Sequence, residues 1–179
     1  MADELIDIYD ELNNFTGKKL MKSEAHKTGL WHRAIHLIVY NSKGDILLQK
    51  RASDKLVYPD LWDISAAGHI SSGETAENTV VREAFEEIGL NVLSENLEFV
   101  SILKINVLTD KVNNNEFAYV FLLKFDGEVS DLKFIDGEVQ EIKFISLKEL
   151  EKEVINNYSI FCPHGNYWLD IVNAVKKRI

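Results

Sequence analysis

Residues 68–90 constrain this chain more than any other stretch. Five residues separate Gly68 from Glu74 and seven separate Glu74 from Arg82-Glu83, after which come Ala84-Phe85-Glu86-Glu87-Ile88-Gly89-Leu90. The run is polar and acidic where a core element would be neither. Val81, Ala84, Phe85 and Ile88 nevertheless recur at the offsets of one apolar helical stripe. Thr75 is of the residue type that caps a helix N-terminus, and Gly89 supplies a stop at the other end. The spacing predicts a helix over 75–88.

On such a helix Glu83, Glu86 and Glu87 converge along the edge of the face opposite the stripe. Like charges at that spacing destabilise a helix by about 0.2–0.5 kcal/mol per pair, and a divalent cation would reverse the sign. Hard oxygen ligands favour Mg²⁺ or Mn²⁺ over zinc. Gly68 and Gly73 bracket a short loop between an expected strand at 62–67 and the helix. Glycines there let backbone groups approach a metal or phosphate, and the helix N-terminus adds a favourable dipole. Taken singly, a Glu-rich helix is a solvated face and Arg82 with Glu86 is a surface pair. The complete spacing is far more demanding than any of its parts.

Matched at its Gly, Glu, Arg-Glu, Glu-Glu and Gly positions, the stretch resembles the Nudix box of the Nudix hydrolase superfamily. Its one soft departure is Ala84, where a larger aliphatic is common. The resemblance implies an α+β fold, a three-layer α-β-α sandwich around a mixed sheet. It also implies Mg²⁺-dependent hydrolysis of a diphosphate linkage, most often in a nucleoside diphosphate derivative, with water attacking phosphorus. Carried over by position, Glu86 and Glu87 would be principal metal ligands, Glu83 a ligand or the base, and the Gly68 carbonyl a further ligand. Glu74 and Arg82 would brace the loop and helix. Mn²⁺ would be the natural substitute for Mg²⁺.

The rest of the composition fits a small catalyst. A chain of 179 residues, 46% apolar, suits one domain with a proper core, and no apolar run approaches the length of a membrane span. The N-terminus Met1-Ala2-Asp3-Glu4-Leu5 lacks the basic start and apolar region of a secretory signal, and the single Cys162 cannot form an internal disulfide. A cytoplasmic protein, monomeric or homodimeric, is expected. A net charge of −9 argues against a nucleic-acid polymer as partner and for a small anionic substrate met by local cations.

Along the chain, residues 4–22 suggest a hairpin turning through Asn13 to Gly17, within an N-terminal segment 1–32. Ala34–Tyr40 and Ile46–Arg51 flank Asn41–Asp45 as a second hairpin. Residues 97–108 and 117–125 are expected strands joined by the polar turn 110–115. Asp126-Gly127 and Asp136-Gly137 are ordinary turns, since their acids do not fit an EF-hand loop. A last strand at 142–145 leads to Ser146-Leu147-Lys148-Glu149, the form of a capping box, opening a helix to about residue 156. A final helix spans 164–179, with Trp168, Ile171, Val172 and Val175 at core spacing.

The flanks narrow the resemblance. His26, Leu30-Trp31-His32-Arg33, Gln49-Lys50-Arg51, Lys55, Tyr58-Pro59, Leu61-Trp62-Asp63 and Gly68-His69 together are similar to the branch related to type 1 isopentenyl-diphosphate isomerase, over roughly residues 5–150. That isomerase needs a cysteine immediately before Gly-His, where this chain has Ala67, and it has largely given up the carboxylates that this chain retains. Hydrolysis is therefore the preferred reading. The isomerase, a nucleotide sensor without turnover and a pyrophosphatase of prenyl or thiamine compounds are the alternatives.

The same resemblance places Arg51, Lys55 and Lys22 on the diphosphate, the first through its planar fork. It makes Glu116 a catalytic candidate expected to face the Glu86/Glu87 pair. His26, His32 and His69 match metal positions of the isomerase. A Nudix magnesium site needs no imidazole, so they are expected to be structural. Trp31, Tyr58, Trp62 and Tyr119 are candidates for stacking on a base, although strand aromatics usually serve the core.

Overall fold

Nine of the ten residues of β3 (Trp31–Tyr40) are buried, with only Arg33 partly exposed. A strand apolar along its length has to be covered on both faces and paired on both edges. The computed structural model describes residues 3–110, 112–133 and 137–179. In it β3 is the axis of a mixed sheet. One edge pairs in parallel with β8 (Asn113–Lys124) from Trp31↔Asn115 to Tyr40↔Lys124. The other edge pairs antiparallel with the short β6 (Ala66–His69), from Ala34↔His69 to Leu37↔Ala66. β7 (Glu98–Leu108) lies outside β8, and β1 (Leu5–Tyr9) with β2 (Phe15–Met21) forms the expected N-terminal hairpin.

The second expected hairpin forms only at its turn. β4 (Asp45–Arg51) follows the Asn41–Asp45 turn but meets β3 only at Tyr40↔Ile46. Its long partner is β9 (Val139–Ser146), because β6 already occupies that edge of β3. The single strand expected at 62–67 splits into β5 (Trp62–Asp63), which pairs with β4, and β6. A short helix α1 (Lys22–Thr28), not anticipated from the sequence, follows β2 and seats Ala25 against Ile6 and Ile8. Asp136 of the second Asp-Gly turn and Lys111 of the 110–115 turn lie outside the described residues.

Helices cover both faces, giving the α-β-α layering that was expected. α2 (Ala76–Ile88) packs on Ile35, Leu37, Val39 and Phe121. α3 (Leu147–Asn156) and α4 (Tyr167–Lys176) pack on Ile38, Tyr40, Val120 and Leu122. Both caps of α2 form as predicted: Thr75 Oγ1 accepts from the Asn78 amide at 3.2 Å, and Gly89 takes φ 68°. The stripe itself is rotated. Val80, Ala84 and Ile88 form the buried line and Phe85 is 46% exposed, which carries Glu87 inward rather than onto the opposite face.

Gly89 also abuts the backbone of the following loop, where an added Cβ would lie 2.7 Å from the Lys133 carbonyl oxygen. Gly89→Ala should therefore cost about 2–3 kcal/mol, left-handed strain plus that overlap. Urea unfolding measures it, and an unchanged midpoint would contradict this role.

Candidate functional site at strand β6

The Gly68–Glu74 loop is fastened to α2 by a single side chain. Arg82 donates to Glu74 at 3.2 and 3.4 Å, to Glu83 at 2.7 Å, to Glu86 at 3.1 Å and to the His69 carbonyl at 3.3 Å. Three carboxylates and a carbonyl around one planar fork fix where strand, loop and helix meet. Although burial opposes it, those partners push the guanidinium pKa further up. Glu74 is held in turn by the Thr79 hydroxyl at 2.9 Å.

Glu83 lies against Gly68 so closely that any Cβ there would overlap its carboxylate. Glu87 is 5% exposed and accepts from the Ala67 amide and the Gln49 side chain, each at 3.0 Å. Only Glu86 stands well out in solvent. The three acids thus do not share an open face as the sequence suggested, since Glu87 is drawn to the unpaired amide at the outer edge of β6. Burial pushes Glu83 up to about 7 against the pull of Arg82. Burial and the neighbouring Glu83 raise Glu87 well above the usual carboxylate range. Both carboxyls thus bind a proton more tightly than an exposed one does, and an arriving cation would favour their charged forms. With Glu86 and the Gly68 backbone beside them, the donors are all hard oxygens, which fits a Mg²⁺- or Mn²⁺-type ion.

On the other side of β6 lies a second cluster, built from the histidines expected to be structural. Alternation along the strand turns the His69 side chain away from the Gly68 face. His26 Nε2 lies 3.3 Å from His32 Nε2 and 3.2 Å from His69 Nε2, and Glu116 Oε1 lies 3.1 Å from His69 Nε2 and 3.7 Å from His32 Nε2. Metal–nitrogen bonds of about 2.0–2.1 Å in a tetrahedron place ligand atoms about 3.3 Å apart. The spacing fits that figure. His32 Nδ1 lies 2.9 Å from the Leu30 carbonyl, so it carries the proton and leaves Nε2 as a bare lone pair aimed at the centre. Burial and the two other imidazoles push His26 down to about 4, keeping it neutral. Burial acts to raise Glu116, but the neighbouring imidazoles, His69 at 3.1 Å foremost, outweigh it and hold the carboxyl well below its usual range. The neighbouring Asn114 donates to Glu116 at 2.7 Å while its own Oδ1 is buried without a hydrogen-bond partner. The donor set suits a divalent metal that accepts imidazole.

Glu116 therefore faces His32 and His69, not the Glu86/Glu87 pair as expected. Glu4 stands between the two clusters, 3.5 Å from His69 Nδ1 and 2.9 Å from Lys22. The three expected phosphate cations surround the region, each engaged with a carboxylate: Lys22 with Glu4, Lys55 with Glu138, and Arg51 with Asp63 at 3.3 Å. The aromatic candidates do not converge. Trp31 packs on Phe117 and Trp62 is core, whereas Tyr119 stacks beside Arg33. Sequence reasoning also missed a polar group formed by the buried His36 and Asp63 with the half-buried His164 and Tyr167, residues too scattered to leave a spacing signal. Cys162, a buried free thiol whose pKa burial pushes up, borders it. Among the described residues no helix is long and apolar enough to cross a membrane.

Comparison with known proteins agrees with this geometry. The NUDIX domain model matches residues 30–162. Nudix hydrolase 3 of Arabidopsis thaliana is 36% identical over 126 residues, which cover 69% of this chain and only 16% of the plant protein. Isopentenyl-diphosphate Delta-isomerase 2 of Photorhabdus laumondii is 32% identical over 140 residues, 74% of this chain and 77% of that enzyme. In fold, the crystal structure of DR0079 from Deinococcus radiodurans superposes with a TM-score of 0.68 at 19% identity, covering 95% of this chain and 98% of that one.

Two measurements follow from the geometry. Glu83's folded pKa of about 7 exceeds its ordinary 4.5, so the folded state holds the extra proton and stability falls as pH rises through that window. Glu83→Gln removes this slope: without metal, its unfolding free energy relative to wild type should rise by about 1–3 kcal/mol from pH 5 to pH 8. A difference flat in pH would contradict the shift. At the second cluster, His32→Ala or His69→Ala should weaken Co²⁺ binding, read from the visible absorption of the bound ion, by about 100-fold or more. Unaltered titrations would mean that the imidazoles are structural.

Proposed function

The chain belongs to the Nudix hydrolases, and on that premise we propose that it is a single-domain, divalent-cation-dependent hydrolase cutting the diphosphate linkage of a nucleoside diphosphate derivative. The observation that carries this reading is the seating of Glu83 against Gly68 and of Glu87 on the Ala67 amide. A cation bound by Glu83, Glu86, Glu87 and the Gly68 carbonyl would neutralise phosphate oxygens and acidify the attacking water.

The chain's own residues supply the rest. Glu83 is a ligand of that cation or, where Glu86 and Glu87 hold it, the base that takes the proton from water as the oxygen attacks phosphorus and the bond to the leaving phosphate oxygen breaks. Arg51, Lys55 and Lys22 would exchange their carboxylate partners for phosphate oxygens, so each cation is already ordered where it is needed. Glu74 and Arg82 hold the loop still.

One observation favours a second reading. The His26/His32/His69/Glu116 cluster matches metal positions of the isomerase branch, and a plain magnesium hydrolase does not need it. That reading fails at position 67, where Ala67 has no thiol to move a proton at an alkene. Cys162 is no replacement, since it is buried at the Asp63 side with its thiol kept protonated.

A panel assay with Mg²⁺ over nucleoside di- and triphosphates, nucleotide sugars, dinucleotides, prenyl diphosphates and thiamine diphosphate tests the proposal. Glu86→Gln and Glu87→Gln should each lower turnover by about 100-fold or more while the protein stays folded. Activity within threefold or so of wild type in both would place the catalytic cation elsewhere. Arg51→Ala should lower kcat/KM by about 10- to 100-fold, and Lys55→Ala by less, since an ammonium holds one oxygen where a guanidinium holds two. Ala67→Cys should not yield dimethylallyl diphosphate from isopentenyl diphosphate, and its appearance would revive the isomerase.

A further inference from the structure

The longest edge strand of the sheet is left unpaired on its outer side. Among the described residues β7 pairs only with β8, and no backbone hydrogen bond outside that ladder involves residues 98–108. An open edge offers a row of amides and carbonyls to any other strand, and proteins usually blunt it with charge, above all lysine. β2, which pairs only with β1, is blunted in this way by the exposed Lys18 and Lys19 at its centre. β7 has one lysine, and it leans back over its own sheet: Lys104 Nζ lies 4.4 Å from the Trp31 ring centroid and donates to the Glu11 carbonyl at 3.1 Å. Asn106 likewise donates to Asn115 at 2.7 Å. The other side chains on that face between the bulge and the turn are apolar and in solvent, with Ile102 42% and Leu108 79% exposed.

This edge matches itself in one antiparallel register. Directly opposed residues share a face, so a two-fold axis relating two copies of β7 has to pass through a residue and not between two. Ladder partners put Ile102, Lys104, Asn106 and Leu108 on the face of Tyr119 and Phe117, and Leu103, Ile105 and Val107 on the face of Ala118 and Glu116. The bulge between Phe99 and Ser101 ends the regular stretch. With the axis at Ile105, Ile102 meets the partner's Leu108, Leu103 meets the partner's Val107, and Lys104 meets the partner's Asn106. Apolar then opposes apolar throughout, each contact is made twice, and no like charges oppose each other. An axis at Lys104 sets two lysines face to face, and an axis at Leu103 or Asn106 sets Lys104 against Ile102 or Leu108. The matching sequence is the chain's own, which singles out a second copy as the occupant. Ile105 is also the ladder partner of Glu116. With strands about 4.8 Å apart, the two Glu116 Cα atoms would stand about 14 Å apart on one face of a continuous sheet.

We infer that β7 is the interface of a homodimer, in which two copies of the strand pair antiparallel about a two-fold axis at Ile105. Analytical ultracentrifugation of the full chain should show a dimer. Ile102→Lys and Leu108→Glu alter side chains that the core does not use, and each places two charges against apolar partners. Each should weaken the dimer by about tenfold or more. Mixed together, the two variants should dimerise again, because the new lysine then faces the new glutamate while the unaltered Leu108 faces the unaltered Ile102. A chain carrying both changes should dimerise by itself for the same reason. Under mild oxidation Ile105→Cys should form a disulfide between two copies, since directly opposed residues have Cα atoms about 4.5–5.5 Å apart, within reach of the bond. Leu103→Cys, which faces the partner's Val107, should not cross-link, and the buried Cys162 takes no part in either case. A wild-type chain that stays monomeric across the concentration range would overturn the interface and leave the edge to a strand of another protein. So would single variants that dimerise like wild type, a mixture of two folded variants that stays monomeric, or a cross-link through Leu103→Cys and not through Ile105→Cys.

Discussion

Everything at this site depends on Arg82. One guanidinium binds Glu74, Glu83 and Glu86 and donates to the His69 carbonyl, so it ties the end of β6, the Gly68 loop and the second turn of α2 into one body. Without it, three acids within a few ångströms would repel each other and the loop would have no fastening. A lysine could not replace it, since a point charge cannot reach four acceptors in separate directions.

From that fastening the rest follows. The loop held down by Arg82 brings Gly68 under Glu83, where only a residue without a Cβ fits. β6, paired on one edge to β3, offers its Ala67 amide on the other, and Glu87 is buried to meet it. Burial then raises the proton affinity of Glu83 and Glu87, so an arriving cation would displace protons as well as bind. Across the strand, the opposite alternation turns His69 into the histidine cluster. Four residues of β6 thus serve two separate groups of ligand atoms, one all oxygen and one mainly nitrogen, with Glu4 between them.

How much of this could be read in advance depended on how local each signal was. The spacing from Gly68 to Leu90 is local: it specified the helix, both caps and the acids, and the resemblance it carries implied the Arg82 brace. Its error was of a single helical position, because Phe85 looks like core in any apolar count, whereas the Gln49 and Ala67 partners that make Glu87 the buried residue lie on other elements. The Asn41–Asp45 turn was also local and correct, yet the pairing it starts stops at Tyr40↔Ile46, since β6, later in the chain, takes the rest of that edge of β3. Glu116 was expected opposite the Glu86/Glu87 pair because its strand pairing was unknown. The parallel register with β3 sets it beside His32. His36, Asp63 and the pair His164 and Tyr167 come from three separate segments and leave no pattern before the chain is folded.

The central claim is that β6 separates two cation sites, with the box carboxylates holding the catalytic one. Anomalous diffraction from crystals soaked in Mn²⁺ tests it most directly. The account predicts one peak bounded by Glu83, Glu86, Glu87 and the Gly68 carbonyl, and a second within His26, His32, His69 and Glu116. Manganese confined to the histidine cluster, with Glu83 and Glu87 still bound to Arg82 and the Ala67 amide alone, would contradict it.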